Sequence, residues 1–129
     1  MIKRRAFASF DVEHDEDLRD RLITQSQQPD LLLDLADWSV REPESVNSRE
    51  MLRKRIGRLD LMVVICGEHT DTATGVADEL AIAISERKPY FLLMGRAKTA
   101  SKMPKGAKDT DKIYGWTLES LRALIGGVR

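Results

Sequence analysis

Apolar residues gather into short unbroken runs, separated by stretches in which they recur every three or four positions. The clearest run, Leu61-Met-Val-Val-Ile-Cys66, has no polar interruption and predicts a strand buried on both faces. It stops at Gly67, passes a polar loop (Glu68, His69, Thr70, Asp71, Thr72) and enters an amphipathic helix closing near Lys88-Pro89. Val76, Leu80, Ala83 and Ile84 recur there at helical spacing, with Glu79 among them. Upstream, Ala6-Phe-Ala-Ser-Phe10 reads as the first strand. The helix after it spans Asp15 to Ser26, with Leu18, Leu22 and Ile23 inward. Asp11, Glu13, Asp15 and Asp17 sit near its start, where the macrodipole favours acids. Pro29-Asp30 marks a turn. Leu31 to Ala36 reads as a second strand, with a short helix as the alternative, and a loop extends from Asp37 through Asn47.

Farther along, Ser48 to Gly57 predicts a basic helix with Met51, Leu52 and Ile56 inward. Tyr90-Phe-Leu-Leu-Met94 is a fourth strand, and Ile113 to Trp116 a short edge strand. Gly95 to Lys112 reads as a long loop, a length that in a small domain marks a functional or flexible segment. Thr117 is placed to cap a last helix, Leu118 to Ile125, stopped by Gly126-Gly127. This alternation predicts a three-layer α/β fold with a mainly parallel five-stranded sheet, in one domain over residues 1–129. In such sheets small ligands bind in the crevice at the carboxyl ends of the strands.

Composition narrows the function classes. Lys+Arg and Asp+Glu balance at 21 each, so no overall field recruits nucleic acid or an anionic membrane. The basic run from Arg96 to Lys112 has a solvated loop as its ordinary reading. One cysteine excludes an internal disulfide and fits a reducing, cytoplasmic setting. No segment approaches the ~20 apolar residues that span a bilayer, and no apolar signal region follows Met1-Ile-Lys-Arg-Arg5.

Most familiar site types are missing. Neither a Walker-type phosphate loop nor Gly-x-Gly-x-x-Gly occurs. The two histidines, His14 and His69, have no partner spacing for zinc, so no metal is expected. Cys66 lacks the arginine that would close a Cys-loop phosphatase loop and reads as a small core residue. Glu79 is the main candidate. An exposed helical glutamate is ordinarily just solvated, but here Val76 and Leu80 flank it and Thr70, Thr72, Thr74 and Gly75 crowd its approach. A carboxylate so placed can accept hydrogen bonds from ribose hydroxyls and stabilise the positive charge that develops when an N-glycosidic bond breaks. Ser9, Phe10 and Asp11 leave the first strand toward the same crevice, and Asp37, Trp38 and Ser39 leave the second. Phe10 and Trp38 are candidates to stack on a base, with core packing as the alternative for each.

Several of these segments together resemble a known family. Phe7-Ala-Ser-Phe10-Asp11, Asp37-Trp38-Ser39, the string from Val64 through Cys66-Gly-Glu-His-Thr-Asp-Thr-Ala-Thr-Gly75, Glu79, Lys88-Pro-Tyr-Phe91 and Tyr114-Gly-Trp116-Thr117 are similar to bacterial TIR-like domains of the Thoeris ThsB type. The Gly-Glu-His-Thr-Asp-Thr-Ala-Thr-Gly string is the specific part. The resemblance implies a flavodoxin-like TIR fold and an antiphage role. In that role NAD is the substrate, with no separate cofactor, and its ADP-ribose portion leaves as a cyclised or conjugated signalling nucleotide read by a separate effector protein. It implies Glu79 as the catalytic glutamate holding the nicotinamide ribose. Ser9, Phe10, Asp11, Asp37, Trp38, Ser39, Gly67, His69, Thr72 and Thr74 form the expected substrate-facing set. A phage-derived trigger and self-association are further partner expectations. Unlike animal and plant TIR domains, the chain has no long BB loop and no Trp-Cys pair before its glutamate.

Two other readings compete with an NAD-cleaving enzyme. A nucleoside deoxyribosyltransferase-like protein would use a glutamate of the same helix as a covalent nucleophile. A non-catalytic TIR-like interaction module would not need Glu79 at all. A receiver domain is disfavoured, because its phosphoacceptor aspartate belongs where Cys66 stands.

Overall fold

The computed structural model describes residues 3–35 and 48–127. Five strands among them form one sheet: β1 (Arg4–Ser9), β2 (Leu33–Asp34), β3 (Leu61–Cys66), β4 (Tyr90–Met94) and β5 (Ile113–Tyr114). Their order is β2-β1-β3-β4-β5 and every pair is parallel. Four α-helices accompany them: α1 (Glu16–Ser26), α2 (Ser48–Gly57) and α3 (Thr74–Ser85) each lie between successive strands, and α4 (Leu118–Ile125) follows β5.

The period of two along β3 sorts the core into two layers. Leu61, Val63 and Ile65 face one side and pack with Leu18 and Leu22 of α1 and Leu121, Leu124 and Ile125 of α4. Met62, Val64 and Cys66 face the other, with Ile56 of α2 and Val76, Leu80 and Ala83 of α3. All six β3 residues are buried, which is why that strand carries no polar position. The result is a three-layer, flavodoxin-like arrangement. Strand order reverses between β1 and β3, and the carboxyl ends at such a switch point are where open sheets of this kind bind ligands.

Some boundaries differ from the sequence expectation. Of the second strand expected over Leu31 to Ala36, Ala36 lies outside the described residues, and among the described ones only Leu33–Asp34 pairs with β1. Leu31, Leu33 and Leu35 are all buried, so core packing rather than ladder length explains the leucines. Met51 is not inward: it is 48% exposed. The buried stripe of α2 runs through Leu52 and Ile56, and Met51 lies about 100° around the helix from Leu52. Trp116 lies beyond the two-residue β5; its Nε1 donates to Gln25 Oε1 at 2.5 Å, and Arg21 covers its ring. The Gly95–Lys112 segment is tied to β3, with Gly95 N donating to Cys66 O and Lys102 N to Gly67 O.

Helix α3 stops short of Lys88-Pro89 through a Schellman turn. Lys88 N donates to Ala83 O at 2.9 Å, Arg87 N donates to Ile84 O at 3.1 Å, and Arg87 takes φ 57°. A left-handed residue other than glycine costs roughly 1–2 kcal/mol. Arg87→Gly is therefore expected to raise stability by about 1 kcal/mol, less whatever glycine adds to the freedom of the unfolded chain. Urea denaturation checks this; a lower midpoint would contradict it.

Candidate functional site

Strand parity places the first site residue. Ser9 closes β1 and shares the parity of Phe7, which packs on the α3 side of the sheet. On α3 the sheet-facing stripe runs Val76, Glu79, Leu80, Ala83, so a carboxylate occupies one position of an apolar row. Glu79 is 2% exposed and Ser9 fully buried. The Ser9 hydroxyl donates to Glu79 Oε1 at 2.7 Å. A carboxyl in such a position needs partners, since an unpaired buried charge costs several kcal/mol. Glu79 thus stands in the second turn of α3, directed at the carboxyl end of β1.

The β1–α1 loop is built by Asp11. Its backbone carbonyl accepts from Asp15 N, its Oδ1 from Glu13 N at 3.0 Å, and its Oδ2 lies 2.6 Å from His14 Nδ1. The His14 ring stacks on His69 from the β3–α3 loop, centroids 4.0 Å apart. These contacts join the two loops flanking the crevice.

Gly67 has a steric role. A Cβ there would overlap the Asp15 carboxyl, while its N–H donates to Thr70 Oγ1 at 2.7 Å. Asp15 is almost fully enclosed; its Oδ1 is 3.4 Å from Arg96 Nη2, and its Oδ2 has no hydrogen-bond partner among the described residues. Burial pushes the Asp15 carboxyl above the usual carboxylate range, partly opposed by Arg96. Arg96 also grips Asp17 with both Nη atoms and donates to His14 O, pinning the start of α1 to the end of β4. Hydrogen bonding to Arg96 lowers the Asp17 carboxyl.

The other expected site residues divide. Phe10 is 4% exposed within the α1-side core cluster, with Arg19 near its ring; that is the place of a packing residue. Thr72 is exposed and its hydroxyl donates to His69 O, and Thr74 is exposed at the first position of α3. Asp37, Trp38 and Ser39 lie outside the described residues. Cys66 is fully buried, and burial pushes its thiol up to about 12, the state of a neutral core residue.

Three members of the constellation carry no site signal in the sequence: His14 reads there only as a possible metal ligand, Asp15 as a helix-start acid and Arg96 as part of a basic run. Their signal lies in contacts 55 to 82 positions apart, from His14 to His69 and from Arg96 back to His14. Elsewhere a hollow of about 310 Å³ lies along β4 and β5, lined by Tyr90, Asp111, Lys112 and Tyr114. There Tyr90 Oη already donates to Asp111 Oδ2 at 2.6 Å.

Comparison with known families assigns the chain. Residues 7–100 match the family described as Thoeris protein ThsB, TIR-like domain. The chain belongs to that family. The match starts within β1 and ends after β4, so it takes in Ser9, Asp11, His14, Gly67, His69, Glu79 and Arg96. Membership of the Thoeris ThsB family makes the chain an antiphage TIR-like protein, of a defence system that works through partner proteins. A search of curated proteins gives no match. No helix among the described residues is long and apolar enough to cross a membrane.

Two stability predictions follow from the site's polar contacts. Ser9→Ala leaves Glu79 Oε1 without its hydroxyl donor and is expected to cost about 1–3 kcal/mol. An unchanged denaturation midpoint would contradict that contact. For Asp15 the sign runs the other way, because its folded-state affinity for a proton is raised. Ionised Asp15 burdens the fold at neutral pH, and the burden fades as pH falls toward the ordinary carboxylate range near 3.8. Asp15→Asn should therefore raise the melting temperature at pH 7, with the gap closing on acidification. A lower melting temperature at pH 7 would refute this.

Proposed function

We propose that this Thoeris TIR-like protein cleaves NAD at the bond between nicotinamide and ribose. It then releases the ADP-ribose portion as a cyclised or conjugated signalling nucleotide that a separate effector protein reads. NAD is substrate, no further cofactor takes part, and the reaction runs in the cytoplasm, in keeping with a single unpaired cysteine. The observation that carries this reading is the enclosed Glu79 carboxyl, held by Ser9 at the switch point between β1 and β3.

The chemistry asks for such a group. As the glycosidic bond breaks, its electron pair passes to the nicotinamide nitrogen and neutralises the pyridinium. Positive charge then develops on the anomeric carbon and ring oxygen of the ribose. A carboxylate in a low-dielectric setting stabilises that charge far better than one in water. It also accepts hydrogen bonds from the ribose hydroxyls, fixing the sugar relative to the breaking bond.

Purified protein incubated with NAD, in the presence of material from phage-infected cells, tests the proposal by quantified nicotinamide release. Glu79→Gln keeps the shape of the side chain and removes its charge. It is expected to lower release by about 10²–10³-fold or more while circular dichroism stays native. Equal NAD consumption by wild type and variant would overturn the assignment of Glu79, and no consumption by either would leave a non-catalytic module. Base exchange between deoxynucleosides would point instead to transferase chemistry.

A further inference from the structure

We propose that His14, aligned by Asp11, is the base that takes the proton of the hydroxyl nucleophile once nicotinamide has left. The inference rests on the NAD-cleaving reading and adds a second catalytic group to it.

The geometry is that of an oriented imidazole. Asp11 Oδ2 stands 2.6 Å from His14 Nδ1. A carboxylate accepts, so the proton of a neutral ring resides on Nδ1 and the basic lone pair on Nε2. Asp11 is itself fixed by Glu13 N, and its side chain is 9% exposed against 45% for that of His14. A shielded orienting acid behind an accessible ring is the division of labour seen wherever histidine activates a hydroxyl.

Position agrees with that role. Asp11 is two residues beyond Ser9, which holds Glu79, and His14 of the β1–α1 loop stacks on His69 of the β3–α3 loop, at the carboxyl ends of the same two strands. Glu79 is enclosed, whereas the His14 side chain is accessible. Arg96 pairs with Asp15 and Asp17 and donates to the His14 carbonyl, which holds the backbone of the base in place. His69 covers one face of the ring, and the His14 side chain still keeps 45% of its surface exposed.

The step balances as follows. The carbon–nitrogen bond breaks with its pair on nicotinamide. A hydroxyl oxygen, of water or of a ribose, forms the new bond to the anomeric carbon with its lone pair. The hydroxyl proton passes to His14 Nε2 and from there to solvent. Asp11 is a positioning residue that stabilises the imidazolium formed.

The full-length protein under triggered conditions tests this by the rate of product formation, with nicotinamide release measured in parallel. His14→Ala is expected to slow product formation about 10²-fold or more, and added imidazole to restore at least a tenth of the wild-type rate. Asp11→Asn, whose amide would donate to Nδ1 and shift the ring proton to Nε2, should show a comparable loss that imidazole does not restore. A His14→Ala rate within twofold of wild type would overturn the proposal. So would a loss that imidazole leaves untouched while circular dichroism stays native, since that marks a structural role. If the wild type releases no nicotinamide, the NAD reading itself falls and takes the base with it. Release by wild type with an indifferent His14→Ala removes the base alone.

Discussion

A carboxyl group set into the apolar face of a helix is the constraint around which this fold is organised. Glu79 occupies a position where Val76, Leu80 and Ala83 bury against the sheet, so it is carried into the interior with them. It is tolerated there because β1 ends in serine, whose hydroxyl meets it at 2.7 Å. That pairing requires β1 and β3 to be neighbours, α3 to pack on the face shared by Phe7 and Ser9, and β1 to end level with the second turn of α3. The parallel sheet and its order reversal supply all three conditions.

Around that pair the loops are polar but not loose. Asp11 closes the β1–α1 turn, His14 and His69 bridge to the β3–α3 loop, and Arg96 fastens the end of β4 to the start of α1. The long segment after β4, which composition alone would leave structureless, returns to Gly67 through Lys102. Gly67 is glycine because the Asp15 carboxyl occupies the space a side chain would need. A pre-formed mouth of this kind limits the reorganisation needed when charge develops in a substrate.

Much of this was legible from local pattern. The runs Leu61–Cys66 and Tyr90–Met94 are strands with the expected boundaries, and the Thr117 cap fixes the start of α4, its hydroxyl accepting from Ser120 N at 3.0 Å. Each signal is contained within a few residues. Glu79 was legible for the opposite reason, as an acid breaking an apolar helical row. What could not be read were contacts set by long-range packing. The leucines of residues 31–35 are buried without forming a long ladder, Met51 misses the buried stripe by one position, and Arg87 adopts a conformation usually left to glycine. The His14–His69 stack and the Arg96 clamp depend on loops meeting at the sheet edge, which no spacing in the chain encodes.

The placement of Glu79 has meaning for catalysis only if a sugar reaches it. A crystal structure with an uncleavable NAD analogue bound tests that most directly. The account predicts the nicotinamide ribose in the crevice between β1 and β3, its hydroxyls about 2.6–3.2 Å from the Glu79 carboxyl. An analogue lodged elsewhere, with Glu79 still sealed against Ser9 and no ligand atom near it, would contradict the account.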